Sequence, residues 1–145
     1  MGRKRLKILV LSFYFRPDLS AGSFRTTALV DALMRKMPAD GQIDVLTTLP
    51  NRYSSFSVEA PAEERIPGLS IVRTELPLHQ SGMLDQARAF ISFAQDVLHQ
   101  IRGREYDLVF ATSSRLMTAV LGAWVARKKR IPLYLDIRDI FVDTI

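Results

Sequence analysis

The chain has 145 residues, 48% hydrophobic and 24% charged, the composition of one globular domain and not of a disordered or fibrous segment. It holds no cysteine, which excludes disulfides and thiolate-bound zinc or iron–sulfur centres, and its 2 histidines, His79 and His99, lack zinc-binding spacing. A balance of 20 Lys and Arg against 15 Asp and Glu gives a formal charge of +5, which favours anionic partners without choosing between nucleic acid, phosphorylated ligands and acidic lipid.

The basic start, Met1-Gly2-Arg3-Lys4-Arg5, leads into an apolar run that Ser12 and Arg16 interrupt and that no small-residue cleavage site follows. It therefore reads as the first strand of a cytoplasmic protein, not as a secretory signal. No stretch approaches the ~20 apolar residues needed to cross a bilayer. Residues 7–13 (KILVLSF) are almost continuously apolar, as a strand covered on both faces of a parallel sheet must be. Residues 16–22 (RPDLSAG) form a turn-rich loop, and from Ser23 the period becomes helical, with Val30, Leu33, Met34 and Met37 on one side. Residues 38–41 end that helix, and Ile43, Val45 and Leu46 make a second strand that finishes near Thr48. Residues 50–67 show no period and read as a long loop; residues 69–76 then alternate as a third, peripheral strand.

Leu84, Ala87, Phe90, Ile91, Ala94, Val97, Leu98 and Ile101 step by threes and fours, which predicts the clearest helix of the chain. Residues 107–112 (DLVFAT) are a fourth strand, Ser113 and Ser114 cap the next helix, and Leu116, Val120, Ala123 and Trp124 mark its expected buried side. Arg127, Lys128, Lys129 and Arg130 close it, where cations complement the helix dipole. Residues 132–136 (PLYLD) supply a fifth, buried strand. Strands alternating with helices in this way predict an α/β fold: a Rossmann-like, doubly wound, mostly parallel sheet with helices on both faces.

Ligands of such sheets bind outside the carboxyl ends of the strands, which nominates three segments. The first is Ser20, Ala21, Gly22, Ser23 and Arg25, a loop with one glycine before a helix whose free N–H groups suit a phosphate. It contains neither GxGxxG nor GxxxxGK[ST], which disfavours a dinucleotide dehydrogenase and a P-loop NTPase, and Gly22 serves equally as a plain turn residue. The second is Thr112, Ser113 and Ser114, whose hydroxyls suit a sugar or phosphate and suit helix capping just as well. The third is Asp136, Arg138 and Asp139, carboxylates and a guanidinium fit for hydroxyl recognition, base catalysis or anion pairing, or for a structural Arg–Asp pair. Nothing nearby completes a metal site. The helix of residues 84–101 is a core helix by its period; its phenylalanines, with Arg88, Arg102 and Arg104 near, also suit a membrane surface.

Three runs, taken in order, carry a family resemblance: residues 7–25 (KILVLSFYFRPDLSAGSFR), 106–114 (YDLVFATSS) and 131–139 (IPLYLDIRD). Together they resemble the N-terminal domain of family 4 retaining glycosyltransferases of GT-B fold, above all the bacterial members that build lipopolysaccharide or capsule. Where that family often has two glycines in the first loop, this sequence has Ala21-Gly22. The resemblance implies that residues 1–145 are an N-terminal, acceptor-side Rossmann-like domain, itself truncated, without the C-terminal domain that binds most of the donor and carries paired glutamates. It implies transfer of a hexosyl group from a nucleotide-sugar to a lipid-linked or saccharide acceptor, and an inactive fragment when this chain stands alone. Ser20, Ala21, Gly22, Ser23, Arg25, Thr112, Ser113 and Ser114 would then meet the donor phosphates or substrate, and Asp136, Arg138 and Asp139 the acceptor and reacting sugar. The nucleotide-sugar is a substrate, so no cofactor and no metal are implied. The implied partners are donor, acceptor, the protein's own C-terminal domain and the inner face of the plasma membrane, with no nucleic acid. The alternatives are a nucleotide-sugar epimerase of GT-B fold and a non-enzymatic flavodoxin-like binding module. A receiver-type module would want an acidic cluster where Ser12, Phe13 and Tyr14 stand.

Overall fold

The computed structural model describes residues 5–17, 21–49, 61–75, 83–112 and 116–137. Among these the elements run β1 (Lys7–Leu11), α1 (Ala21–Lys36), β2 (Gln42–Thr48), β3 (Glu63–Ile66), β4 (Leu69–Thr74), α2 (Met83–Ile101), β5 (Leu108–Thr112), α3 (Leu116–Lys129) and β6 (Leu133–Asp136). They build a 6-stranded sheet in the order β3-β4-β2-β1-β5-β6. All neighbours pair parallel except β3, which runs antiparallel to β4. This is the doubly wound arrangement, with its reversal of strand order between β1 and β5.

The alternation of side chains along each strand divides the core in two. Ile8, Val10, Ile43, Val45, Ile71 and Phe110 face α1, where Val30 is fully buried against them. Leu9, Leu11, Leu46, Val72 and Val109 face the other way, onto Phe93 and Val97 of α2 and Leu121 and Val125 of α3. The expected sheet, mostly parallel and with helices on both faces, is the one observed.

Several local readings are corrected. Residues 50–67 are not loop throughout, since residues 63–66 form β3 and pair with β4. Its sequence, EERI, is mostly charged because it is an edge strand whose side chains meet solvent. Pro67 and Gly68 make the tight turn between them, with Gly68 at a φ of 84°, a conformation open to glycine. Strand β1 stops at Leu11, before Phe13, although Phe13 and Phe15 remain buried on opposite faces of the sheet. Helix α1 starts at Ala21, so Gly22 belongs to its first turn and not to a loop; the first N–H groups of a helix need no intrahelical acceptor, which lets a glycine sit there cheaply. Among the described residues strand β6 lies at the edge of the sheet and is not buried: Tyr134 is 60% exposed although its ring stacks on Phe110 at 5.2 Å.

The largest correction concerns α3. Leu116, Val120, Ala123 and Trp124, expected to be buried, face outward, and Thr118, Ala119, Leu121, Gly122, Val125 and Ala126 pack on the sheet. The helix is apolar all round, so its period does not choose a face. Size chooses instead: a Cβ on Gly122 would lie 2.5 Å from the Cβ of Ala111, so the small residues must face β5. The basic end of α3 also acts beyond its own helix, because Lys129 Nζ donates to Ile101 O at 3.2 Å and Arg104 O at 2.6 Å, at the end of α2.

Candidate active site

With α1 on one face and α3 on the other, the carboxyl ends of β1 and β5 bound the crevice where ligands of such sheets bind. A row of polar side chains crosses the sheet there. Arg73 of β4 is in register with Thr47 of β2, and Thr112 of β5 with Asp136 of β6. Each stands two residues beyond an apolar residue of the α1-facing core, namely Ile71, Val45, Phe110 and the stacked Tyr134, so all point to that same face. Ser12, just past β1, completes the row: its amide donates to Leu46 O at 3.3 Å, and Thr112 Oγ1 donates to Ser12 Oγ at 3.4 Å. Arg73, Thr47, Ser12 and Thr112 are buried.

Ser12 organises the loop that leaves β1. Its hydroxyl donates to Tyr14 O at 2.5 Å, so with its one proton committed it accepts from Thr112 and from Thr26 Oγ1 of α1, 3.3 Å away. Thr48 Oγ1 donates to Phe13 O at 2.7 Å, and the Arg16 amide donates to Thr27 Oγ1 at 3.2 Å. Arg73 Nη2 donates to Arg16 O at 2.8 Å. That guanidinium, 1% exposed, also donates to Pro61 O at 3.0 Å and pairs with Glu64 at 3.0 Å, which compensates its burial. Sheet, helix and edge hairpin thus hold the loop together. Arg73 Nε, Thr47 Oγ1 and Thr118 Oγ1 are buried with no hydrogen-bond partner among the described residues, an arrangement that costs free energy.

Of the residues nominated from sequence, the structure brings Arg25 and Asp136 together. Arg25 Nη2 donates to Asp136 Oδ1 at 2.7 Å, with Arg25 55% exposed and Asp136 14%. Thr112 lies in the row and bonds across to Ser12. Ser23 is fully buried in the first turn of α1. Ala21 and Gly22 open that helix. Ser20, Ser113, Ser114, Arg138 and Asp139 lie outside the described residues. Ser12, Thr26, Thr47 and Arg73 were not nominated. Two of them had a signal: Ser12 breaks an apolar run, and Arg73 is a charge inside an apolar strand.

Beside this edge, a groove of about 550 Å³ runs between β4 and α2. Thr74, Glu75, Gln95, Asp96 and Gln100 line it, and Thr74 Oγ1 donates to Asp96 Oδ2 at 2.6 Å. A buried, perturbed ionisable group lies elsewhere, toward the amino ends of the strands. Burial first, and then the hydrogen bond to Asp44 Oδ2 at 2.7 Å, raise the Tyr106 hydroxyl well above its ordinary pKa, with Arg104 opposing. This is a scaffold contact, not part of the crevice.

Two solved structures of sucrose-phosphate synthase from Thermosynechococcus elongatus are similar to this chain. One superposes with a TM-score of 0.67 at 12% identity, over 97% of this chain and 35% of the synthase chain. The other gives 0.63 at 13% identity, over 94% of this chain and 66% of that one. The likeness shows a Rossmann-like, mostly parallel α/β fold. The C-terminal domain of a hydrogenase from Pyrococcus furiosus is also similar, with a TM-score of 0.55 at 12% identity over 94% of this chain and 95% of that domain. Identities this low establish the fold and not the chemistry, since one fold hosts many functions. No protein-family model and no curated protein matches the sequence.

Proposed function

We propose that this chain is the acceptor-side half of a nucleotide-sugar-dependent glycosyltransferase of GT-B fold, related to the retaining family 4 enzymes of surface polysaccharide synthesis. The observation that carries the reading is the Arg25 and Asp136 pair, set beside the buried hydroxyls of Ser12, Thr26 and Thr112 at the strand-order reversal. A guanidinium beside a helix N-terminus suits a leaving diphosphate, and a carboxylate at the same edge suits a sugar hydroxyl. The likeness to two structures of a sucrose-phosphate synthase supports it.

In the proposed reaction, the bond from the anomeric carbon to the leaving diphosphate breaks and a bond to the acceptor oxygen forms on the same face. The acceptor proton passes to the departing phosphate oxygen, with Asp136 orienting the hydroxyl. Arg25 and the first turn of α1 oppose the negative charge that grows on the diphosphate. The groove lined by Gln95, Asp96 and Gln100 offers carboxylate and amide groups to the hydroxyls of an acceptor saccharide, lipid-linked or free. The second wall of the cleft comes from a second Rossmann-like domain, and this chain alone is expected to give no turnover, because catalysis needs both walls placed together.

The test is transfer of labelled sugar from a nucleotide-sugar to a saccharide acceptor by the complete protein. Turnover with retention that falls in Asp136→Asn and Arg25→Met, at unchanged melting temperature, supports the reading. Turnover indifferent to both substitutions moves the site. Tight ligand binding by this chain with no transfer by the complete protein favours a binding module, and release of an epimerised sugar favours an epimerase.

A further inference from the structure

We infer that a recess at the amino edge of the sheet, away from the crevice, is a binding site for a small phosphorylated ligand. The inference does not rest on the transferase reading.

The register of the sheet builds the recess. Lys7 of β1 pairs with Gln42 of β2, Asp44 of β2 with Ser70 of β4, and Ser70 with Arg65 of β3. Paired residues share a face of a sheet, and so do residues two apart in one strand, which sets all five side chains on one face. Two positions further along β1, β2 and β4, that face carries Leu9, Leu46 and Val72 into the core with α2 and α3. At the amino edge the same face is charged or polar instead. Arg5, before β1, and Arg104, just past the end of α2, complete the wall of a cavity of about 400 Å³. Small-ligand sites span roughly 300–1,000 Å³.

The charge of this cavity is unbalanced. Arg5, Lys7, Arg65 and Arg104 line it against a single carboxylate, that of Asp44. Asp44 is already engaged: Oδ1 accepts from Gln42 Nε2 at 2.9 Å and Oδ2 from the Tyr106 hydroxyl at 2.7 Å, with Arg104 Nη1 3.6 Å from Oδ2. Arg65 reaches Glu63 at 3.5 Å, but these side chains are 67% and 55% exposed, so solvent screens the pair. Arg5 Nε donates to the carbonyl of Asp40 at 2.9 Å, and Asp107 Oδ2 accepts from the Lys7 amide at 2.9 Å. Neither Arg5 nor Lys7 forms an ion pair among the described residues.

Like charges brought together from separate elements repel one another, and a multivalent anion bound between them removes that repulsion. A phosphate group fits better than a carboxylate, because it carries close to two charges at neutral pH and offers three oxygens to guanidinium forks. A recess also suits a small molecule better than a nucleic acid, which calls for a basic stripe along a surface. Ile66, 56% exposed at the rim, and the Ser70 hydroxyl suit the organic part of such a ligand. The site is distinct from the crevice: Lys7 opens β1 and Ser12 follows its end, so about 15 Å of strand lies between them.

The experiment adds inorganic pyrophosphate, uridine monophosphate or uridine to the full chain and follows binding heat and backbone amide shifts. The expected result is saturable binding of both phosphates and none of uridine, with shifts at Lys7, Gln42, Arg65 and Ser70 and not at Ser12 or Thr112. Lys7→Gln with Arg65→Gln weakens binding on the order of tenfold or more at unchanged melting temperature. Arg5→Gln, outside every strand, also weakens it without touching the sheet, whereas Arg25→Met at the opposite edge leaves it unchanged. Absence of binding by either phosphate, shifts confined to the crevice, or binding indifferent to the three charge removals overturns the inference. So does a preference for duplex DNA or for anionic vesicles over both small phosphates, which would make these cations an open surface patch.

Discussion

Arg25 and Asp136 stand 111 positions apart and meet through a 2.7 Å hydrogen bond from Nη2 to Oδ1. The contact fastens the start of α1 to the end of β6, over the ends of β1 and β5. Because Arg25 is 55% exposed, solvent screens the pair, and a double-mutant cycle of Arg25→Met with Asp136→Asn should give a coupling of only about 0.2–1 kcal/mol in urea melts. In the complete protein, Asp136→Asn should lower kcat on the order of 10²-fold. A large coupling, with activity that follows the folded fraction, would make the pair part of the scaffold.

Ser12 carries three contacts on one buried oxygen, to Tyr14, Thr26 and Thr112. Ser12→Ala leaves the Tyr14 carbonyl without that donor and is expected to cost about 1–3 kcal/mol by chemical denaturation. Thr26→Val should cost less, since Ser12 keeps its bond to Tyr14. If the two cost the same, the loop is not organised through Ser12.

Gly122→Ala sets two effects in opposition. Alanine favours a helix interior by about 1 kcal/mol over glycine, yet its Cβ would sit 2.5 Å from that of Ala111, an atom fixed to the β5 backbone. Overpacking of this kind costs about 1–3 kcal/mol, so the variant should melt earlier than the parent, and adding Ala111→Gly should recover part of the loss. An unchanged or higher Tm would show that α3 can move away from β5.

Tyr106 predicts an alkaline dependence. Its folded pKa is raised above the unfolded 10.0, by burial first and by Asp44 second. The unfolded phenol therefore ionises first as pH rises. The stability this group contributes is whole below about pH 10 and is lost progressively above it, toward the raised folded value. Tyr106→Phe should flatten that decline relative to the parent, at a cost of about 1–2 kcal/mol at neutral pH for the lost hydrogen bond. Parallel curves for the two proteins above pH 10 would contradict the assignment.

Much of the fold was legible because strands buried on both faces and helices buried on one face leave periods in the sequence. Residues 7–11 and 43–46 show the first, and the stepping of Ala94, Val97, Leu98 and Ile101 shows the second. Strand β3 was missed because its four residues answer to the β4 edge and not to a core, although Pro67-Gly68 was a readable turn signal. Of the candidate site, Arg25, Thr112 and Asp136 were readable from their places near strand ends. The partnership of Arg25 with Asp136 was not.

The amino-acid sequence by itself determined that the chain is an α/β domain and which segments reach the carboxyl edge of its sheet. Those properties are local, set by hydrophobic period and turn chemistry within a few residues. Only the tertiary structure decided that Ser12 collects hydroxyls from α1 and β5, that Arg73 ties the edge hairpin to the loop after β1, and that α3 turns Leu116, Val120 and Trp124 outward. The physical reason is the same in each case. An all-round apolar helix, or a lone polar group in an apolar strand, has no preferred direction until a neighbour supplies the close approach or the hydrogen bond, and here those neighbours lie from 11 positions away, Ala111 from Gly122, to 100, Thr112 from Ser12.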